Sequence, residues 1–204
     1  MVHVIRLTMG LLFACGMVMG GEHEPLEELK SRMAQAECNH LEFLSLVESS
    51  VFETTDTVAG EAWLAEKGQF NVHLGADQYL GVDRKLFSYS TENNQVTVED
   101  LPENDIRSEQ LSFLTRLDEF FTTAILDPGR KYQLDIKDTT DADLPHLIHI
   151  YLSNEGQLDY LEYSDVNDDL NRIRFLRHKI LSDCSKDIFT PNFPDSVEII
   201  RLTN

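Results

Sequence analysis

Three groups of residues have types and spacings that could do chemistry. Asp165-x-Asn167-x-Asp169 has the opening spacing of a calcium loop of the EF-hand kind. Such a loop needs Gly at the sharp turn and a closing Glu, and Leu170 and Leu176 stand in those places, so the segment reads as a solvated turn. Cys38-x-His40 and His146-x-x-His149 offer metal-ligand types, but they would have to converge from distant parts of the chain. On a strand His146 and His149 would also point to opposite faces. Surface histidines, or histidines satisfied by hydrogen bonds, are the simpler reading. The sequence has no glycine-rich phosphate loop and no G-x-S-x-G elbow. The expectation is a protein that binds rather than catalyses, with no catalytic residue, no metal and no cofactor.

The N-terminus constrains where the protein works. Arg6 precedes an apolar run from Leu7 to Met19, and Gly20-Gly21 gives a small-residue exit before the polar Glu22-His23-Glu24-Pro25. This is the layout of a cleaved secretory signal over residues 1–21, with a run too short to remain as a membrane span. Leu12-Phe13-Ala14-Cys15 is a poor lipoprotein box because Phe13 is bulky. Residues 22–204 are then expected to form one domain, a monomer in the periplasm. Cys38 and Cys184 would meet an oxidising compartment there, as a disulfide or as two buried thiols. The net charge of −19 disfavours nucleic acid and anionic lipid surfaces.

These residues need elements to hold them. Pro25 to Ala36 reads as a helix, with Leu26, Leu29, Met33 and Ala36 on one face and Glu27 and Glu28 near its start. Leu41–Phe52 is strand-like and Thr54–Thr57 a polar turn. From Gly60 to Tyr89 the pattern is that of a meander. Trp63 lies in its first strand, Phe70, Val72 and Leu74 recur at period two in the next, and Asp83-Arg84-Lys85 makes a turn. Gln95–Glu99 follows the Asn93-Asn94 turn. A second helix is predicted from Ser108 to Ala124, where Phe113, Leu114, Leu117, Phe120, Phe121 and Ala124 form a wide apolar stripe. Further strands are expected at 132–136, 147–152, 157–163, 172–181 and 197–202. The fold class is mainly β with helices: an incomplete antiparallel β-barrel, or curled sheet, with a helical lid or plug.

G-E-A-W-L at 60–64, Q-F-N-V at 69–72, V-D-R-K-L-F-S-Y at 82–89 and the ending F-T-P-N-F-P-D-S-V-E-I-I resemble the periplasmic outer-membrane lipoprotein carriers of the LolA type. The resemblance covers most of residues 22–204. It implies a half-open barrel with a helical lid over an apolar cavity. It also implies a carrier that receives acylated lipoproteins from an inner-membrane ABC lipoprotein transporter and delivers them to an outer-membrane lipoprotein acceptor. The alternative on the same fold is a non-catalytic lipid- or glycolipid-binding or envelope-stress-sensing module. Glu66 and Lys67 stand where the family carries an Arg-Pro pair implicated in lid control, so that role does not transfer. The expected lipid-binding set is Trp63, Phe70, Val72, Leu74, Phe87 and Tyr89 from the sheet and Phe113, Leu114, Leu117, Phe120 and Phe121 from the lid.

Overall fold

The computed structural model describes residues 24–49, 51–65, 68–101, 111–138, 144–165 and 167–202. The proposed signal segment, Ser108, Glu66 and Lys67 lie outside these residues. Twelve strands join in one unclosed sheet: β1 (Cys38–Glu48), β2 (Thr55–Ala65), β3 (Phe70–Leu74), β4 (Asp77–Val82), β5 (Lys85–Ser90), β6 (Gln95–Asp100), β7 (Phe121–Asp127), β8 (Lys131–Ile136), β9 (Leu147–Leu152), β10 (Leu158–Ser164), β11 (Leu170–Leu181) and β12 (Glu198–Arg201). Their spatial order is β12-β6-β5-β4-β3-β2-β1-β11-β10-β9-β8-β7, so β12 and β7 are the free edges. All neighbours are antiparallel except β12, which runs parallel to β6. The architecture is the incomplete, curled barrel expected.

Hairpin chemistry sets the register of the first half. Asp83 and Arg84 both have positive φ, 51° and 61°, as a two-residue turn between right-twisted strands requires. Asn94, at φ 48°, ends the four-residue turn (91–94) that leads into β6. Two glycines make room for rings: a Cβ at Gly60 would lie 2.3 Å from the ring of Phe43, and one at Gly81 would lie 2.2 Å from the ring of Phe70. Each phenylalanine ring occupies the space beside the bare glycine directly opposite it on the neighbouring strand.

Helix α1 (Pro25–Gln35) begins with Pro25 in its first turn, and its apolar stripe is buried as predicted: Leu26, Leu29, Met33 and Ala36 are all at most 5% exposed. The second predicted helix is not continuous. A 3₁₀ turn (Ser112–Thr115) and a single helical turn, α2 (Leu117–Phe120), occupy its centre. Leu111 is left-handed at φ 53°, and Arg116, at φ −133°, separates the two turns. From Phe121 the chain is strand β7, paired to β8, and Ala124 is exposed. Thr122, Thr123 and Ile125 are β-branched, and β8 offers a ladder that a helix there would leave unpaired. The early strand boundaries also move. β1 ends at Glu48, Val51 and Phe52 are exposed in the turn beyond it, and β2 already begins at Thr55.

Candidate ligand-binding site

The strand register sorts the side chains onto two faces. Leu41 aligns with Ala62 and Val72, Phe43 with Gly60 and Leu74, and Leu64 with Phe70, Gly81 and Leu86. These residues face inward and share one apolar cluster with Leu26, Leu29 and Met33 of α1. Tyr132, Leu134, Ile148, Ile150, Leu161 and Ile173 extend the cluster across the second half of the sheet.

The broken segment after Leu111 delivers the bulk that the predicted stripe promised, in another geometry. Phe113, Leu114, Leu117 and Phe121 are 0%, 1%, 4% and 2% exposed and belong to the same cluster. The rings of Phe113 and Phe121 lie 6.1 Å apart, and Phe120 packs partly buried beneath the Arg116 guanidinium, 5.0 Å from its ring centre. The concave face is therefore roofed by α1 and residues 111–121.

The expected sheet-side residues do not form one surface. Phe70, Val72 and Leu74 face the roof, whereas Trp63, Phe87 and Tyr89 leave the convex face. Trp63 is paired with Asn71, one residue out of phase with Ala62 and Val72, and a one-residue step changes face. The Trp63 indole is stacked on His40 with ring centres 4.9 Å apart and takes His73 at its edge at 5.8 Å. Phe87 and Tyr89 hold Phe193 at 6.0 and 5.4 Å. Phe87 and Tyr89 thus hold the C-terminal segment on the outer side, while Trp63 packs between His40 of β1 and His73 of β3.

That segment is anchored at several points. Cys38 and Cys184 form a disulfide with Cα atoms 5.3 Å apart. Asn71 Nδ2 donates to Ile188 O at 2.6 Å, Phe189 is buried, and Asn94 Nδ2 donates to Ser196 O at 2.8 Å. A cleft of about 670 Å³ opens beside the disulfide, lined by Glu37, Gln69, Asp83, Lys186 and Phe189 among others. It lies at the end of the sheet, away from the roofed apolar face.

Polar contacts hold the roof at its rim. Lys30 of α1, with only 9% of its side chain exposed, donates to Glu27 Oε1 at 2.7 Å, Asp118 Oδ1 at 2.6 Å and Thr123 Oγ1 at 3.2 Å. Burial alone would lower its pKa, but Asp118 and Glu27 outweigh that and raise it. Sequence reading passed over this lysine because it lies among exposed charges. At the other end Asn39 Nδ2 donates to Met33 O at 2.9 Å, which orients its amide so that Oδ1 accepts from His178 Nε2 at 3.1 Å. Burial, with Arg32 nearby, pushes the His178 pKa down to about 4. Tyr132 donates its hydroxyl to Glu24 just before α1, and burial followed by that carboxylate raises its pKa.

The other sequence constellations resolve plainly. Asp165 Oδ1 accepts the backbone N–H of Asn167 and Asp169 at 2.8 and 3.1 Å, so this carboxylate closes its own turn. His146 is exposed, and His149 sits against Tyr151.

No family model matches the chain, and no curated protein matches it in sequence. Solved structures do. An uncharacterized conserved protein from Thermus thermophilus aligns with a TM-score of 0.50 at 7% identity, over 86% of this chain and 98% of that one. A LolA superfamily protein from Nitrosomonas europaea aligns at 0.47 and 9% identity, over 82% and 96%. LprF from Mycobacterium bovis aligns at 0.42 and 10% identity, over 85% and 95%. At such identity the first likeness shows the fold alone.

Proposed function

We propose that residues 1–21 direct export and that residues 22–204 act as a monomeric periplasmic carrier. It shields the acyl chains of lipoproteins between an inner-membrane ABC transporter and an outer-membrane acceptor. The observation that carries this reading is the nature of the roof. A wide apolar concave face is covered by one helix and a broken segment, not by a second sheet.

Energetics favour exchange at such a roof. Burying a chain of roughly fifteen methylenes is worth on the order of 10 kcal/mol. Leu26, Leu29, Met33, Phe113, Leu114, Leu117 and Phe121 cover the face now. At about 1.5–3 kcal/mol each, their burial is of the same order. Lipid that displaces part of the roof replaces one apolar contact with another, so loading and release both stay near balance. No nucleotide-binding loop is present in the sequence to drive either step. In this reading Phe70, Val72, Leu74, Phe113, Leu114, Leu117, Phe120 and Phe121 contact the acyl chains. Trp63, Phe87 and Tyr89 serve the scaffold. The acidic surface suits basic patches on the membrane partners, and their association should then weaken with salt.

The test measures displacement of a fluorescent fatty acid by a triacylated lipopeptide, together with release of lipoproteins from inner-membrane vesicles. Binding with release supports the carrier. Binding without release favours the sensing or glycolipid-binding alternative, and no displacement removes both. Leu117→Glu, if folded, should abolish displacement, and unchanged binding would take that segment out of the site.

A further inference from the structure

We propose that the convex face of β1–β3 carries a divalent transition-metal site, of the zinc class, built on His40, Glu42 and Glu61. Among the described residues these three each bring one ligand atom within 4.8 Å of the others. The register explains why they converge. Glu42 of β1 is directly opposite Glu61 of β2, and Glu61 is directly opposite His73 of β3. His40 stands two residues along β1 on the same face, and its Nε2 lies 2.6 Å from Glu61 Oε1.

Two features of this patch ask for a cation. Like charges placed directly across a ladder repel. Glu42 has one oxygen on Arg177 Nη1 at 2.7 Å, which leaves its second oxygen for another partner. The His40 ring is also held in place: its side chain is 13% exposed and stacked on Trp63 at an interplanar angle of 7°. A pre-oriented imidazole with two carboxylates is a ligand set that zinc accepts, with water completing the shell. Around a tetrahedral ion with bonds of about 2.1 Å, ligand atoms sit roughly 3.4 Å apart. The 2.6 Å pair must open, by rotation of the partly exposed Glu61 carboxylate, and the other pairs already lie within 4.8 Å. His73, exposed and edge-on to Trp63, is placed by register as a further ligand or a positioning group. Arg177 and Lys179, the latter opposite His40 on β11, are the cations with which a metal competes.

The site is separate from the concave face, so its test does not involve lipid. Titration of tag-free protein with zinc sulfate should show one site with a micromolar dissociation constant and a rise in melting temperature. Magnesium chloride should produce neither. His40→Ala and Glu61→Gln should each weaken zinc binding by about tenfold or more. Arg177→Ala removes a competitor and should tighten it, an effect that loss of fold cannot mimic. Zinc binding by His40→Ala and Glu61→Gln as tight as that of the unaltered protein, or no zinc binding beyond the magnesium response, would overturn the assignment.

Discussion

If the roof exchanges with lipid, the contacts across its rim should set how often it lifts, and Lys30 is the place to measure this. Lys30→Met keeps most of the aliphatic stem and deletes the ammonium. It loses two bonds that bridge α1 to the 117–123 segment, to Asp118 and Thr123, and one within the helix, to Glu27. Hydrogen bonds to charged groups contribute about 1.5–3 kcal/mol when buried. Asp118 and Glu27 are 68% and 58% exposed, so water recovers much of their share, and exposed pairs are worth up to about 1 kcal/mol. The bridging contribution is therefore about 1 kcal/mol. That magnitude raises the open population roughly fivefold. Hydrogen exchange should read this as about fivefold faster exchange in α1 and residues 111–121, with the β4–β5 hairpin unchanged. Asp118→Ala should act alike, and the double variant should add little to either single one. Glu27→Gln, which removes only an intrahelical partner, should have a smaller effect. Unchanged exchange at the roof, or an equal change at β4–β5, would refute the view that Lys30 fastens the roof.

Three other outcomes follow from the packing and the charges. Gly81→Ala should destabilise by about 1–3 kcal/mol in chemical denaturation, because its Cβ would enter the ring of buried Phe70. His178 has its folded pKa below the unfolded value, so the neutral form is favoured in the fold. Its stabilising effect is full above pH about 6.5 and declines as the pH falls toward about 4. Partial exposure trims the total to about 2 kcal/mol, and His178→Gln should flatten the stability curve in that window by roughly half a proton. Cys184→Ser opens a loop with a sequence separation of 146, which should cost about 2–5 kcal/mol. Protease sensitivity should rise first in residues 185–202.

Much of the architecture is legible in local pattern. The α1 stripe, the strand alternation and the turn at Asp83-Arg84 appear in the structure where periodicity and turn chemistry put them, and Asn93-Asn94 forms the end of a turn that is four residues long rather than tight. Residues 111–127 show the limit. Phe113, Leu114, Leu117 and Phe121 satisfy a helical period and are indeed buried. Yet Phe121–Asp127 found a partner in β8, and a ladder available only in the assembled sheet outweighed the local period.

Composition and pattern alone determined that this chain would build a curled, mostly antiparallel sheet with apolar mass gathered on covering segments. Tertiary structure decided which aromatics share a surface. Trp63, Phe87 and Tyr89 are large aromatics like Phe70, and only the register sends them outward, Trp63 onto His40 and Phe87 and Tyr89 onto Phe193 of the C-terminal segment. It also set Glu42 against Glu61, closed Cys38 onto Cys184 and brought Lys30 to Asp118, contacts spanning 19, 146 and 88 positions. The reason is physical: hydropathy records that a side chain leaves water, but the pleat and the strand partner decide toward which neighbour it goes.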